Sequence, residues 1–408
     1  MNSEDFEEYS YVLCEYYVKE FPLEMSNENY EKLICDEIIN NLIEFQNKEI
    51  NENIDSYKTK VNDYLIKYLN KNYICRCDGN TYMKETIDNI EINKISEKLS
   101  YLKNIKQPEQ RTNEWYTFRH EHLTASNLWK VFGTKSNINQ LVFEKCKPLN
   151  INKYKGDFAE TPMSWGQKYE DVSIMVYEDK YKTKIYDYGC IPHNKYEYLA
   201  ASPDGINDCK TSPLFGRMLE IKNIYNRKIT GIPKKEYWIQ MQLQMEVCNL
   251  DECDFLETRF KEYESYEEFI QDGSFTHTKN NMLKGIMLYI IDKVNNCPKY
   301  LYMPLYYNID QYEKWEEENM NLFNNDQYEW FRTIYWRLDE ISCVLVRRNK
   351  YWFEAAVDKL NETWNIIKKE RQDGSYIKRA PKSKKTVNNN QEENVNKSQL
   401  NDALIILY

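Results

Sequence analysis

The sequence predicts a mixed α/β (α+β) protein, a small mixed β-sheet flanked by helices with a further helical region at the N-terminal end. Three observations carry that expectation. Apolar residues recur at three- and four-residue intervals through the first hundred positions, and short strand-like runs alternate with helical ones between Trp115 and Phe260. No apolar run approaches the roughly 18 residues that would span a bilayer.

In chain order, Phe6, Tyr9, Val12, Leu13, Tyr16 and Tyr17, and then Leu33, Ile34, Ile38, Ile39, Leu42 and Ile43, mark amphipathic helices. Residues 1–105 read as an acidic helical region, which ends at the polar stretch Lys106-Gln107-Pro108-Glu109-Gln110. Helices are expected near 124–132, ending at Gly133, near 164–181 and near 234–248, with strands near 185–191, 196–201, 217–223 and 253–260. Further strands are expected at 285–291 and 299–306, and helices at 309–322 and 341–371. Residues 106–372 are thus taken as the principal domain with a C-terminal extension. Residues 373–408, rich in Lys, Asn, Ser and Gln, are expected to be a disordered tail.

The net charge of -10 argues against a nucleic-acid partner only until its distribution is read. Residues 1–50 hold 13 acidic and 3 basic groups and supply all of it, whereas residues 101–150 carry 8 basic and 4 acidic groups. The eleven cysteines are odd in number and irregularly spaced, a poor disulfide framework that fits reduced thiols. Cys75-Arg76-Cys77 is too tight for a cluster or zinc motif, and the four histidines add no ligand set. The acidic start of the chain lacks the pattern of a secretory signal. An intracellular location is expected, whether cytoplasm, nucleus or a viral replication compartment, and a secreted or membrane protein is not.

The stretch with chemical content is Ala201-Ser202-Pro203-Asp204-Gly205, followed after a loop by Leu219-Glu220-Ile221-Lys222. Strand side chains alternate, so Leu219 and Ile221 can anchor in the core while Glu220 and Lys222 share the other, open face. Asp204, between proline and glycine, sits where a strand breaks into a turn and can reach a neighbouring strand. Two carboxylates make a hard oxygen site suited to Mg²⁺, and a lysine beside it can hold or deprotonate water, the equipment of metal-assisted phosphodiester hydrolysis. Taken singly these motifs are ordinary: Asp-Gly is a common turn, and Glu-x-Lys is usually a solvated strand face. Their order and company raise their meaning.

Asp204 followed by Glu220-Ile221-Lys222 resembles the PD-(D/E)XK nuclease signature, with its restriction-endonuclease-like core. The flanking residues resemble the lambda exonuclease/YqaJ-like viral recombinase branch of that superfamily. The segment from Arg111 through Trp115 to Arg119, with Leu123-Thr124-Ala125-Ser126, is similar to its opening motif. So are Trp165-Gly166 with Glu170, and Tyr237-Trp238-Ile239-Gln240-Met241-Gln242-Leu243-Gln244-Met245. The resemblance covers about residues 111–260. It implies Asp204 and Glu220 as metal ligands with the Ile221 carbonyl, Lys222 as the group acting on water, Glu170 as a third acid, and Tyr237 and Gln240 lining the site. It also implies that Arg119 and Ser126, with Thr124, meet a 5′-phosphate.

The expectation is therefore a deoxyribonuclease dependent on Mg²⁺ or Mn²⁺, a 5′-to-3′ exonuclease on duplex DNA ends serving recombination, repair or replication. The resemblance also implies a homotrimer and a single-strand annealing protein as partner. The competing readings are a structure-specific endonuclease and a non-catalytic DNA-binding protein on a nuclease fold. The sequence departs from the compact phage type in its acidic N-terminal helices, the long segment between Asp204 and Glu220, and the extension beyond Phe260, departures that put the trimer in doubt.

Overall fold

The N-terminal periodicity becomes four helices: α1 (Ser3–Glu20), α2 (Tyr30–Gln46), α3 (Ile54–Lys71) and α4 (Asn89–Asn104). The structure, a computed structural model, describes residues 3–46, 54–72, 75–78, 88–110, 112–150, 161–323 and 325–381. Ile34, Ile38, Ile39 and Leu42 of α2 bury against Val61, Leu65 and Leu69 of α3 in one apolar cluster, while Val12, Tyr16 and Leu33 of the same pattern face solvent. Asp88 caps α4 by accepting from the Glu91 N–H at 2.7 Å.

The next stretch holds α5 (Asn113–Glu121), strand β1 (Leu123–Thr124), α6 (Ala125–Leu128), α7 (Lys135–Cys146) and α8 (Pro162–Tyr181). The helix expected at 124–132 is α6 continued by a 3-10 turn, Trp129–Phe132, and it stops at Gly133. Thr134 and Thr161 begin α7 and α8 with reciprocal capping boxes. Then come β2 (Ile185–Tyr186), β3 (Ile191–Pro192), β4 (Leu199–Ala201), β5 (Gly205–Asn207), β6 (Met218–Asn223), α9 (Lys235–Cys248) and β7 (Glu252–Glu262). The single strand expected at 185–191 is split in two, because Gly189 turns the chain at φ +66° and its N–H is held by Asp187 at 2.7 Å. The chain continues with α10 (Tyr266–Gln271), β8 (Lys284–Asp292), β9 (Cys297–Tyr302), α11 (Ile309–Phe323), β10 (Tyr328–Arg347) and α12 (Lys350–Asp373).

The main sheet runs β2-β5-β6-β7-β10-β8-β9, with β6 and β7 parallel and the other neighbours antiparallel. A second sheet runs β1-β4-β3. The mixed α/β architecture expected from the sequence is the one observed.

The largest departure is β10. A helix was expected from 341, but residues 328–347 form one strand of 20 residues that joins β7 to β8, and α12 begins only at Lys350. Cys343 packs on the α8 side while Val344 and Val346 pack toward α9 and α12, so both faces are apolar and the two-residue alternation disappears. At the other end, Ser375–Arg379 is a 3-10 turn tied back by Arg379 to Glu370 at 2.6 Å, so order extends past the boundary set by composition. Residues 382–408 lie outside the described residues.

The acidic helices share one apolar cluster with α7, α9 and α12. The Trp238 indole N–H of α9 donates to the Arg76 carbonyl at 2.9 Å, and the Asp78 N–H donates to the Leu345 carbonyl at 2.8 Å. Arg347 pairs with Asp78 at 2.9 Å. The back of α9 is thereby fixed by residues that precede residue 79 in the chain.

Gly285 on β8 lies where an added Cβ would stand 2.3 Å from Cζ2 of the buried Trp336 indole on β10. Gly285→Ala is expected to destabilise the protein by about 1–3 kcal/mol through overpacking. A urea titration with unchanged slope and lowered midpoint checks this.

Candidate active site

The site is built on β6. Leu219 and Ile221 pack with Tyr177 and Leu256 toward α8, and Glu220 and Lys222 take the opposite face. That face is not open, as the sequence had suggested: α9 covers it, and Glu220 is 0% exposed. A carboxylate so placed needs partners on both oxygens. Gln240 Nε2 donates to Glu220 Oε1 at 2.7 Å, Gln244 Nε2 donates to Oε2 at 2.7 Å, and the Lys222 ammonium pairs with Oε1. Gln240 and Gln244 stand one helical turn apart and so meet the same side chain. Gln244 also reaches the Ser202 carbonyl at 3.2 Å, tying α9 to the segment that carries Asp204.

Asp204 follows β4 and precedes β5, and its Oδ2 accepts the Ile221 N–H at 2.6 Å. Burial, and then the charges of Glu220 and Glu170, push its carboxyl well above the ordinary value against the pull of Lys222 and the Ile221 N–H. For Lys222 burial works against the charged form, but Glu220 and Asp204 outweigh it and hold the ammonium above its usual pKa. Its Nζ lies 5.1 Å from the centre of the Tyr237 ring, which stacks on Phe255.

Glu170 is placed by α8. Asn223, at the end of β6, donates to the Gly166 carbonyl at 2.8 Å and accepts from Ser173 Oγ at 2.6 Å. Those two anchors lie four residues before and three after Glu170, on one face of the helix. The structure thus gathers Asp204, Glu220, Lys222, Glu170, Gln240 and Tyr237 around the end of β6. Two participants were given no role from the sequence. Gln244 falls on one helix face with Tyr237 and Gln240 by its spacing, within the motif Tyr237–Met245. Glu257, in register with Lys222 on β7, is 1% exposed and bound to Arg227 at 2.5 Å; only the strand pairing reveals it.

Among the described residues no group of three or more His, Cys, Asp or Glu side chains is gathered closely enough to hold a metal ion. Asp204 and Glu220 with the Ile221 carbonyl still fit a hard divalent cation, since Mg²⁺ commonly takes one or two carboxylates and completes its shell with water and substrate oxygen. The crowding of buried Asp204 by the Glu220 and Glu170 charges is the sign of that fit, because a cation would favour the carboxylate that its neighbours now oppose.

A second polar centre lies at the C-terminal end of α5. Arg119 Nη2 donates to Ser126 Oγ at 3.1 Å, and its guanidinium stacks 4.5 Å from the Trp115 ring. Thr124 is 2% exposed, and its hydroxyl has no hydrogen-bond partner among the described residues. Of the three residues expected to meet a phosphate, Arg119 and Ser126 are in contact, and Thr124 precedes Ser126 by two residues. The opening motif's Arg111 lies outside the described residues.

Residues 114–251 match the family model of the YqaJ-like viral recombinase domain. This stretch is similar to that domain. It contains every residue of both centres except Glu257. Uncharacterized protein R354 of Acanthamoeba polyphaga mimivirus is 32% identical over 322 residues, 70% of this chain and 57% of that protein. The chain thus spans little more than half the length of that curated relative. Among solved structures, an alkaline exonuclease from Laribacter hongkongensis aligns over 66% of this chain and 97% of its own, with 18% identity and a TM-score of 0.36. A phage-related exonuclease from Haemophilus somnus aligns over 64% and 99%, with 16% identity and a TM-score of 0.32.

The raised Asp204 pKa fixes a sign for stability against pH. A carboxyl protonated in the folded protein and ionised in the unfolded chain costs stability as pH rises above the unfolded value near 4, and costs nothing below it. In chelator, Asp204→Asn is expected to melt above the unsubstituted protein at pH 7–8, with the difference shrinking as pH falls. Melting curves should converge near pH 4; an Asn variant less stable at pH 8 would contradict the assignment.

Proposed function

We propose that the chain is a DNA nuclease dependent on Mg²⁺ or Mn²⁺, working 5′-to-3′ from the ends of duplex DNA. The observation that carries the reading is the joining of Glu220, Lys222 and Asp204 within a YqaJ-like domain. A non-catalytic scaffold has no use for a fully buried carboxylate held by two glutamines beside a charged lysine, because such a group lowers stability unless chemistry needs it.

Asp204, Glu220 and the Ile221 carbonyl would hold the cation, which supplies Lewis acidity to the scissile phosphate and charge neutralisation to its transition state. Gln240 and Gln244 fix the Glu220 plane so that its oxygens do not reorganise during the reaction. Glu170 acts from the border of the site through water. Lys222 Nζ, held over the Tyr237 ring, orients the attacking water, and its proton would become easier to release where a bound cation offset the charge of Glu220. Arg119, Ser126 and Thr124 receive the 5′-terminal phosphate, because a guanidinium fork and two hydroxyls all donate. Recombination is the setting that the family description suggests, and assembly as a ring of three and an annealing-protein partner remain parts of the proposal.

On end-labelled duplex with Mg²⁺, the unsubstituted protein is expected to release nucleotides and to stop in chelator. Asp204→Ala and Glu220→Ala should abolish release, and Lys222→Ala should slow it by roughly 10² to 10⁴. Full turnover by the Glu220 or Lys222 variants sinks the assignment.

The end-reading part has its own check. Arg119→Ala should lose about ten- to a hundredfold of the preference for 5′-phosphate over 5′-hydroxyl ends, the worth of a charged hydrogen bond of ~1.5–3 kcal/mol. Covalently closed circles should resist the enzyme. If closed circles are nicked as fast as linear DNA is degraded, the endonuclease reading replaces this one.

A further inference from the structure

Arg119 sits in the last turn of a nine-residue helix, where backbone carbonyls lack intrahelical partners. Two buried or half-buried cations from other parts of the chain take up those carbonyls. Lys145 Nζ, on α7, donates to the Arg119 carbonyl at 2.6 Å, and Arg371 Nη2, in the last turn of α12, donates to the His120 carbonyl at 2.7 Å. Arg371 Nε donates in turn to the Lys145 carbonyl at 2.8 Å, closing a bridge between the C-terminal ends of α5 and α7. The Arg371 guanidinium lies 5.3 Å from the Trp364 ring on its own helix. Arg119 is thus fixed by its backbone through Lys145, by its guanidinium face through Trp115 and by its edge through Ser126.

We propose that Arg371 and Lys145 are positioning residues for Arg119, so that a helix beyond the matched domain forms part of the pocket that reads a 5′-terminal phosphate. This rests on the proposed end-reading function and adds residues to it. The geometry serves recognition more than general stability. Lys145 is 6% exposed, and its ammonium is directed at the one carbonyl whose displacement would move the phosphate-binding guanidinium. Its surroundings are also rich in positive charge. Burial first, and then Arg119 and Arg371, press the Lys145 amine down to about 7, with Glu144 opposing and Lys130 adding to the effect. Glu144 is itself engaged by Lys130 at 3.0 Å. An incoming phosphate dianion would relieve this repulsion among Arg119, Lys145 and Arg371, which favours an anionic terminus over a neutral one.

The test uses the full chain in chelator, with fluorescence anisotropy on duplexes that differ only in a 5′-phosphate or 5′-hydroxyl. The unsubstituted protein should bind the phosphorylated end about tenfold or more tightly. Arg371→Ala and Lys145→Met should each bring the ratio of the two Kd values toward unity, and Arg371→Lys, able to reach only one of the two carbonyls, should fall between. Circular dichroism melts accompany each variant. If Arg371→Ala fails to fold, Lys145→Met and Arg371→Lys decide the matter. Folded variants that keep the full ratio overturn the proposal, as does a proportional weakening at both ends or an unsubstituted protein with no preference. A protein that prefers 5′-phosphate ends yet cleaves nothing with Mg²⁺ refutes the nuclease reading and leaves this inference standing.

Discussion

The burial of one carboxylate, Glu220, organises the rest of this molecule. A carboxyl group at 0% exposure in the middle of a sheet is tolerable only when every oxygen is satisfied. Two glutamines of α9 and the lysine two residues along β6 meet that demand. α9 must therefore present amides where an ordinary core helix would present leucines, and it regains its anchorage on the opposite side through Trp238, Met241 and Met245. The Trp238 indole reaches the Arg76 carbonyl, so the N-terminal helices stabilise the helix that stabilises the carboxylate. Asp204, whose carboxyl is pushed above its ordinary pKa by burial and by Glu220 and Glu170, carries the remaining cost of gathering like charges.

The two polar centres are linked by backbone pairing. Thr124 on β1 pairs with Ala200 on β4, in parallel register, and Asp204 lies four residues beyond Ala200. Arg119, Thr124 and Ser126 are thereby referenced to the strand that leads into the Asp204 and Glu220 centre. Backbone hydrogen bonds hold such a distance better than a flexible loop does, as the proposed function would require of a site that places a terminal phosphate and a scissile bond together. The two polar centres lie within the matched residues 114–251 while much of their support lies outside: β10, α12 and the N-terminal helices cover faces that the matched stretch leaves apolar.

Much of this was legible in the sequence, and the limits have physical causes. The alternation of Leu219-Glu220-Ile221-Lys222, and the spacing of Tyr237, Gln240 and Gln244, are local patterns, and they gave the faces observed. Local patterns did not reveal that the face holding Glu220 is covered, since the cover comes from a helix that begins fifteen residues later in the chain. β10 was mistaken in part for a helix because burial on both sides erased its alternation. Lys145 and Arg371 carried no signal at all: residues 119, 145 and 371 meet only through tertiary packing, and each alone is an ordinary basic residue near a helix end.

Anomalous scattering from crystals grown with Mn²⁺ tests the central claim most directly. The account expects a peak within coordinating distance, about 2.0–2.3 Å, of carboxylate oxygens from both Asp204 and Glu220, with occupancy lost in Glu220→Gln. Full occupancy elsewhere, or a peak that persists without the Glu220 carboxylate, would contradict it.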